Sequence, residues 1–493
     1  MYSMMKKILF SILIFICSLA ISQQSFELLI STEESESFNF TFENVNNDFV
    51  SVGARSIEFS SDSNNAFIVK YDNFGNIINQ KEFIKNDTSF GLSYGVQKNN
   101  GNYLLFGVLT DSLTPHDHNV TYVCEMTPGL DLIWEKMHPI PEPYHDHKLI
   151  NFLMDADSNI IIQGKADSSL YEYDDLLMTM VIDINGNLLD FNFYEGWKDY
   201  SIYGDMVFNH DSTAIEFFGL FVRPISYSND WIEMDLSLDI IEFISVIDDE
   251  HIIYDPVSVQ KMGTDKFVMA NVAIMEPGAY LDLYVKIMDT NLNTLKDTLL
   301  LYPERTSLTG KNGLGFIDPN NIWVPTFEDN STSFMGTEVF RFHLFDSELN
   351  LKAMKEYGGD TRYWFFNMLV TSDGGCLLTG VIPDYEGSWN HDAYVIKVMP
   401  EDIITFAEET PFENDKDVMV FPNPFSTEIK IQTARKNLVF NLTDIAGTKI
   451  LSKEIDNIPG QTLITETLSS GSYFYTIQYE SRTIQSGKLL KQQ

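Results

Sequence analysis

Five of the nine histidines of the chain lie between residues 116 and 147, among carboxylates and prolines. Four of them form two His-x-His pairs, His116 with His118 and His145 with His147, and His138 lies between the pairs. Imidazole is a good ligand for Zn, Cu or Ni, so the two pairs could chelate a transition metal if their side chains face the same way. Both pairs also lie in loops rich in Pro and Asp, where histidine is an ordinary polar residue, and this is the simpler interpretation. If the histidines do bind a ligand, a divalent cation is the cofactor class that the sequence suggests.

Signatures of hydrolytic enzymes give no assignment. We find no nucleophile elbow, no His-Glu-x-x-His metal motif and no phosphate-binding Walker loop. Residues 23–415 contain 64 acidic side chains, so some pair of carboxylates will always look catalytic. The catalytic residues stay unknown, and the sequence favours a protein that is not an enzyme.

The first 22 residues have the features of a secretory signal peptide. Lys6 and Lys7 precede an apolar run from Ile8 to Ile21, which is too short to span a bilayer. Small residues precede Gln23, so we expect cleavage there and export to the periplasm by a Sec-type route. No later stretch is apolar for long enough to cross a membrane, and we expect no transmembrane span in the mature protein.

About 390 residues then follow before the C-terminal tail, which exceeds a usual single core unless the chain is built from repeats. Seven copies of an apolar strand, a polar turn and a second strand recur every 52 to 57 residues or so. The second strands of the copies end at Gly53, Gly107, Gly164, Gly219, Asn271, Thr326 and Gly380.

A second hairpin follows within each copy, for example Ala66 to Tyr71, a turn at Asp72 to Asn76, and Ile77 to Phe83. Four strands per repeat at this period are typical of a β-propeller blade. The turns at Asp72 and Asp183 also resemble a repeat of secreted bacterial propellers. The second hairpin is degenerate in the fourth and sixth copies.

The two ends of the repeat array predict how the ring closes. The seventh copy has no clear outer strand after Val398, and an unassigned strand, Ser25 to Ile30, precedes the first copy. We expect this N-terminal strand to complete the last blade, which would remove a free sheet edge.

Aromatic and cysteine residues fit such a ring without defining a site. The stretch from Thr371 to Cys376 is the nearest approach to the Ser-x-Asp-x-Gly-x-x-Trp turns of sialidase-like propellers, but it lacks the aromatic residue. Trp197, Tyr200, Trp364 and Trp389 could stack on sugars, although tryptophan in propellers more often packs between blades. Cys124 and Cys376 fall in the second and seventh copies, and we expect two buried thiols.

Charge is distributed unevenly between the repeats and the tail. Residues 23–415 carry 21 basic and 64 acidic side chains, a net charge of −43, whereas the tail from Lys416 carries nine basic and seven acidic ones. Such a body repels nucleic acid and anionic membranes, but not divalent cations, basic proteins or neutral glycans.

The last 76 residues form a separate unit with its own motifs. Short alternating segments separated by Ala446-Gly447 and Pro459-Gly460 predict a small antiparallel β-sandwich. The motifs are the opening Phe421-Pro422-Asn423-Pro424, a turn that contains Gly447, the start of a strand at Gly471, and the ending Gly487-Lys488-Leu-Leu-Lys.

These motifs resemble the C-terminal sorting domain of the type IX secretion system of Bacteroidetes. The resemblance implies that the tail is an export address read by the type IX machinery, and that Phe421, Pro422, Asn423, Pro424, Gly447, Gly471, Gly487 and Lys488 belong to the sorting motif. It also implies a location outside the cell or on its outer surface.

The repeats and the tail together predict an all-β chain. We expect a signal peptide (1–22), a seven-bladed β-propeller (23–407), an acidic linker (408–417) and a sorting β-sandwich (418–493). The propeller is expected to be a binding or scaffold module for a glycan or a protein. The alternative is an extracellular hydrolase that acts on a polysaccharide or another polymer, and a funnel of carboxylates and aromatics at the ring axis would favour it.

Overall fold

The fold is known from a computed structural model that divides into two units, Met1–Ile404 and Thr405–Gln493, which are described separately. The described residues are 24–403, apart from 57–63, 86–87, 112–118, 143, 145, 168–174, 199–200, 210–211, 224–225, 247–251, 254–257, 275–280, 301, 303–305, 309–311, 329–337 and 384–389, and 418–491, apart from 422–424, 434–436, 445–447, 456–459, 466 and 480–481. The expected signal peptide and acidic linker lie outside them.

The first unit is a seven-bladed β-propeller in which each blade is an antiparallel sheet. Blade 1 contains β2 (Ser35–Glu43), β3 (Phe49–Ser56), β4 (Asn65–Tyr71) and β5 (Ile77–Phe83). Blade 2 contains β6 (Thr88–Gln97), β7 (Tyr103–Asp111), β8 (Asn119–Met126) and β9 (Leu132–Pro139). Blade 3 contains β10 (Asp146–Met154), β11 (Ile160–Asp167), β12 (Asp175–Ile182) and β13 (Leu188–Lys198). Blade 4 contains β14 (Ser201–Phe208), β15 (Ala214–Arg223), β16 (Ser226–Asp235) and β17 (Ile240–Val246).

The remaining blades depart from this pattern at their first or last strand. Blade 5 contains β18 (Ile252–Ile253), β19 (Ser258–Met262), β20 (Lys266–Ile274), β21 (Leu281–Asp289) and β22 (Thr294–Leu300). Blade 6 contains β23 (Thr306–Leu308), β24 (Ile322–Glu328), β25 (Val339–Phe345) and β26 (Leu351–Gly358). Blade 7 contains β27 (Trp364–Val370), β28 (Cys376–Pro383), β29 (His391–Val398) and β1 (Phe26–Ile30), and a short helix α1 (Pro400–Ile403) follows β29.

Strand β1 supplies the outer strand of blade 7 by pairing antiparallel with β29, from Phe26 opposite Lys397 to Ile30 opposite Ala393. This is the pairing expected from the sequence. The buried side chains of β1 pack on blade 1, where the ring of Phe26 lies 6.0 Å from that of Phe49. Buried apolar clusters lie between neighbouring blades all the way round, including one shared by blades 7 and 1, so the core closes into a ring.

A glycine in the second strand lets the inner strand bulge in several blades. The register of β2 shifts between Phe38 and Phe40 opposite Gly53, and β27 shifts between Phe365 and Asn367 opposite Gly380. A Cβ atom on Gly53 or Gly380 would lie 1.8 Å from a carbonyl oxygen of the inner strand. Only glycine therefore fits beside the bulge.

Blades 5 and 6 carry other residues at this position, and in each of them two separate described segments pair with the inner edge of the second strand. Asn271 and Thr326 take the place of the glycine. In blade 5 the inner edge of β20 pairs with two separate strands, β18 and β19, and in blade 6 the pairing of β24 is divided between β23 and a single bridge from Gly315 to Trp323. The inner strand expected in blade 5 is present as β19, and in blade 6 the expected strand contributes the bridge at Gly315.

The second unit is the predicted β-sandwich. One sheet contains β30 (Val418–Phe421), β31 (Glu428–Thr433) and β34 (Gly460–Ile464), and the other contains β33 (Lys449–Ile455), β32 (Leu438–Thr443), β35 (Gly471–Tyr479) and β36 (Arg482–Lys491). Ile429 and Ile431 of the first sheet pack on Phe440 and Ile477 of the second. This alternation of buried residues along each strand is the one that the sequence shows.

Candidate functional site

Two histidines of the 116–147 window, His138 and His147, form hydrogen bonds that belong to the fold. His147 is buried in β10, and its Nε2 atom lies 2.8 Å from the hydroxyl of Thr121 in blade 2. Burial lowers the pKa of His147 to about 4, so the ring is neutral. The Nε2 atom of His138 lies 2.9 Å from the carbonyl oxygen of Gly186.

The structure describes one of the four candidate metal ligands, His147. His116, His118 and His145 lie outside the described residues. Within the described ranges, no three His, Cys, Asp or Glu side chains are grouped closely enough to hold a metal ion. The Nδ1 atom of His147 has no hydrogen-bond partner, and this buried nitrogen is the one ligand atom of the proposed set that the structure describes as free.

A serine motif that sequence reasoning passed over also has a structural role. Residues Gly91 to Gly95 spell Gly-Leu-Ser-Tyr-Gly, which has the spacing of a hydrolase nucleophile motif. The motif lies within the inner strand β6, and Ser93 occupies its bulge between Leu92 and Tyr94. A nucleophile elbow requires a strand-to-helix turn, so this serine is not such a nucleophile.

Aromatic side chains form a cluster on the inner strands of blades 1 to 3. The ring of Phe40 in β2 lies 5.3 Å from that of Tyr94 in β6 and 5.7 Å from that of Phe152 in β10. Phe40 and Phe152 belong to blades that are not neighbours, so their contact spans the inner edge of blade 2. Phe106 packs on Phe152 at 5.2 Å and completes the cluster. The inner strands of these three blades thus meet through aromatic rings.

Polar side chains replace the aromatic ones on the side of blades 3 to 6. Asn151 Nδ2 donates to Asp205 Oδ1 at 3.0 Å, the amide of Val259 donates to Asp205 Oδ2 at 3.1 Å, and the amide of Gly313 donates to the hydroxyl of Ser258 at 2.6 Å. Burial raises the pKa of Asp205 to about 6 in spite of these hydrogen bonds. Each contact joins the inner edge of one blade to that of the next.

The seam between blades 7 and 1 is held by buried hydroxyl groups as well as by β1. The hydroxyl of Thr41 lies 2.7 Å from that of Thr379 in blade 7 and 2.6 Å from that of Ser51, and its backbone amide donates to Asn367 Oδ1 at 3.2 Å. The hydroxyl of Tyr71 continues this network at 3.0 Å from Ser51. Closure is therefore specified by directed bonds in addition to apolar packing.

The last strand and the segment after the Pro-Asn-Pro motif meet in the sandwich. Gly487 and Lys488 lie in β36, opposite Tyr475 and Phe474 of β35. The amide of Phe425 donates to the carbonyl of Leu490 at 2.9 Å, which ties the segment after the Pro-Asn-Pro motif to the last strand.

The other members of the sorting motif are only partly described. Phe421 ends β30, and Gly471 begins β35 with a φ of 153°. Pro422, Asn423, Pro424 and Gly447 lie outside the described residues.

Cys124 and Cys376 are both buried free thiols, as expected. Cys124 faces the core shared by blades 1 to 3, and Cys376 faces the core shared by blades 6 and 7. Burial raises the pKa of both thiols, so neither has the thiolate character of a reactive cysteine.

Comparison with known families assigns the second unit. Residues 419–492 match the family described as the secretion system C-terminal sorting domain. The tail is thus a sorting domain of the type IX system, and it implies interaction with the export machinery and secretion to the cell surface or the extracellular space. Within the described residues, no helix has the length and apolar character of a membrane span.

Comparison with solved structures gives similarities at low identity. A protein of unknown function from Dyadobacter fermentans is 10% identical over 76% of this chain and 98% of its own, with a TM-score of 0.41. PorZ of Porphyromonas gingivalis, a surface component of the type IX secretion system, is 10% identical over 95% of this chain and 59% of its own, with a TM-score of 0.27. An α-L-arabinofuranosidase from Fusarium graminearum is 7% identical over 77% of this chain and 99% of its own, with a TM-score of 0.40. No curated protein matches the sequence.

Proposed function

We propose that this protein is exported through the type IX secretion system and that its propeller is a binding or scaffold module at the cell surface or beyond it. The observation that carries the export part is the match of residues 419–492 to a secretion sorting domain. The binding part is supported by the propeller itself, because loops on a rigid ring are common positions for ligand-binding residues.

The packing of the inner strands favours binding over hydrolysis. The aromatic cluster around Phe40, Tyr94 and Phe152 occupies the inner edges of blades 1 to 3, and Asp205 is only 6% exposed. A glycoside hydrolase generally needs a pair of carboxyl groups that reach its substrate. We therefore place the ligand site on the loops of the ring faces, where His116 and His118 also lie in sequence.

The net charge of the propeller restricts the ligand. With a charge of −43 over residues 23–415, the surface repels nucleic acid and other polyanions. Neutral glycans and basic proteins remain as ligand classes, and a divalent cation could accompany either of them.

Export is tested by comparing the full-length chain with a chain that ends at Asp417, in a host that has the type IX system. We expect the full-length protein outside the cell and the shortened one folded in the periplasm, as judged by its circular dichroism and melting temperature. Appearance of the shortened protein outside the cell would contradict the export proposal.

Binding is tested on the secreted full-length protein with glycan and protein arrays, together with a turnover assay on the polysaccharides that bind. We expect saturable binding that survives removal of the sorting domain and is accompanied by no turnover. Release of soluble fragments from a bound polymer would favour the hydrolase alternative instead.

A further inference from the structure

The fold of the sandwich accounts for only part of the ending Gly487-Lys-Leu-Leu-Lys. Leu489 is buried and packs in the core of the sandwich. Lys491 is buried as well, and its Nζ atom lies 5.5 Å from the centre of the Phe425 ring. Leu490 stands between these two residues and is 42% exposed. Packing of the core therefore explains Leu489 and Lys491, but it does not explain an apolar residue at position 490.

Leu490 shares the outward face of the larger sheet with an exposed aromatic residue. In β35 the side chains of Tyr473 and Tyr475 are buried, whereas Phe474 between them is 44% exposed. Phe474 lies opposite Lys488 in the register of β35 and β36, so Leu490 is its diagonal neighbour on the same face. Diagonal neighbours lie about 7–8 Å apart, which is within reach of an aromatic side chain. The two strands thus present two apolar side chains next to each other to the solvent.

A third exposed apolar residue lies across β32 from Phe474. Ile450 is 41% exposed and is the bulged residue of β33, because the register with β32 passes from Leu451 to Lys449 without it. Thr443 of β32 lies opposite Lys449 on one side and opposite Phe474 on the other. A β-bulge changes the direction of a side chain and is common at functional positions. Ile450, Phe474 and Leu490 are called the apolar face below.

The smaller sheet of the sandwich is different on its outward side. Glu428 and Lys430 of β31 form an ion pair there, with 3.1 Å between the Lys430 Nζ atom and the carboxylate. Ile464 of β34 lies opposite Glu428 and is 69% exposed. One exposed apolar residue beside charged ones is an ordinary surface feature, whereas a group of three on one sheet is typical of an interaction site.

We propose that the apolar face is the surface through which the sorting domain binds the type IX export machinery, an inference that rests on the export function proposed above. The family match over residues 419–492 contains all three residues of the face. Leu490 belongs to the terminal motif, yet it is the member of that motif that the core leaves exposed. A motif residue that packing does not require is available for recognition by a partner.

The chemistry of the face indicates what kind of partner surface it fits. Aromatic and aliphatic side chains on a flat sheet fit an apolar surface of a folded protein, because such residues form the buried centres of protein interfaces. A second copy of this chain is disfavoured as the occupant. Each copy has a net charge of −39, so two copies repel each other.

Export of the full-length chain from a host that has the type IX system tests the face. The variant carries Phe474→Ser together with Leu490→Ser, and the protein is measured outside the cell and in the periplasm. We expect the fraction outside the cell to fall about tenfold or more, since the loss of residues at the centre of an interface commonly weakens binding by that factor. The melting temperature of the purified variant shows whether it is folded.

Ile464→Ser is the matched control, because it makes the same kind of change at an exposed residue of the other sheet. It should be exported like the native chain. Export of the double variant at the native level would overturn the proposal. If the double variant does not fold, Leu490→Lys decides instead, since lysine keeps an aliphatic stem on the sheet and adds a charge. We expect this variant to be retained, and its normal export would also overturn the proposal.

The chain that ends at Asp417 separates this inference from the export proposal itself. Retention of that chain together with normal export of the face variants would overturn the apolar face alone. Appearance of that chain outside the cell would contradict the export proposal and, with it, this inference. Sedimentation of the purified proteins tests the other occupant. A native dimer that the double variant converts to a monomer would assign the face to a second copy and overturn the proposal.

Discussion

Gly380→Ala should disrupt the seam that closes the ring. The new Cβ atom would lie 1.8 Å from the carbonyl oxygen of Trp364 and 2.8 Å from the Cα atom of Phe365, and both are backbone atoms of the inner strand. The strand must retreat by more than 1 Å or so, because a carbon and an oxygen atom do not approach much closer than about 3 Å. That movement also strains the hydrogen bond from Thr41 to Asn367, which joins blade 7 to blade 1.

The cost can be worked out from these contacts. Overpacking of this kind costs roughly 1 to 3 kcal/mol, and the loss of two ladder hydrogen bonds adds about 1 kcal/mol each. We therefore expect Gly380→Ala to lower the free energy of unfolding by about 3 to 5 kcal/mol. Gly91→Ala is the matched control, since Gly91 lies in the inner strand β6 and its added Cβ would come no closer than 3.7 Å to another group.

Thermal melts and limited proteolysis of the two variants measure the difference. Gly91→Ala should melt like the native protein, and Gly380→Ala should melt well below it and release the segment around β27 to protease. Equal melting temperatures for the two alanine variants would refute the steric argument.

Further outcomes follow from other contacts. Deletion of residues 24–30 should lower the melting temperature by more than the loss of an exposed strand would. Phe26, Leu28 and Ile30 cover an apolar face of blade 1, and that face becomes exposed when they are removed. A shift of only a few degrees would contradict closure by β1. Glu125→Gln should remove part of the acid sensitivity of blade 2. Burial alone would raise the pKa of Glu125, but hydrogen bonds from Lys98, Asn102, Asn100 and Trp134 lower it to about 2, so its contribution to stability is present above about pH 4.5 and is lost as the pH falls toward 2. Unchanged acid unfolding in the variant would argue against this. Deletion of Gly487 to Gln493 should stop export, because it removes the half of β36 that pairs with Gly471 to Tyr475, and normal export of that truncated chain would contradict the role of the last strand.

Much of the ring could be predicted from the sequence because local patterns determine it. Alternating apolar residues and five-residue turns, such as Asp72 to Asn76, recur in each blade, and the structure shows why: the Asp72 carboxylate accepts hydrogen bonds from the amides of Phe74 and Asn76. The position of β1 could also be predicted, since an unpaired strand at one end matched a missing strand at the other.

The divided pairing of β20 and β24 in blades 5 and 6 was not predicted, although these two copies differ from the others in sequence. Asn271 and Thr326 stand where the other copies have glycine, but the need for glycine becomes evident only when the bulge opposite it is seen. The short strand β23 gives no pattern in three residues. Its position depends on pairing with β24, which is a tertiary contact.

The polar contacts at the ring centre could not be predicted for a different reason. Asp205 is one of 64 acidic residues in its segment, and nothing local distinguishes a buried carboxylate from a solvated one. Its partners Asn151 and Val259 are each 54 residues away in sequence. The same holds for His147, whose neutral state depends on burial against Thr121.

The pairing of β1 with β29 sets the order in which the chain can finish folding. Phe26 lies at the start of the propeller and its partner Lys397 lies near its end, so the two emerge far apart in time during synthesis. Blades 1 to 6 can form from contacts that are local in sequence, whereas blade 7 must wait for both ends of the chain. During that interval β1 has no partner, and its apolar face and unpaired edge are available to chaperones or to other chains. We therefore expect a slow final folding phase, losses during refolding that increase with protein concentration, and sensitivity to periplasmic holdases. All three follow because blade 7 is completed by the first strand of the chain.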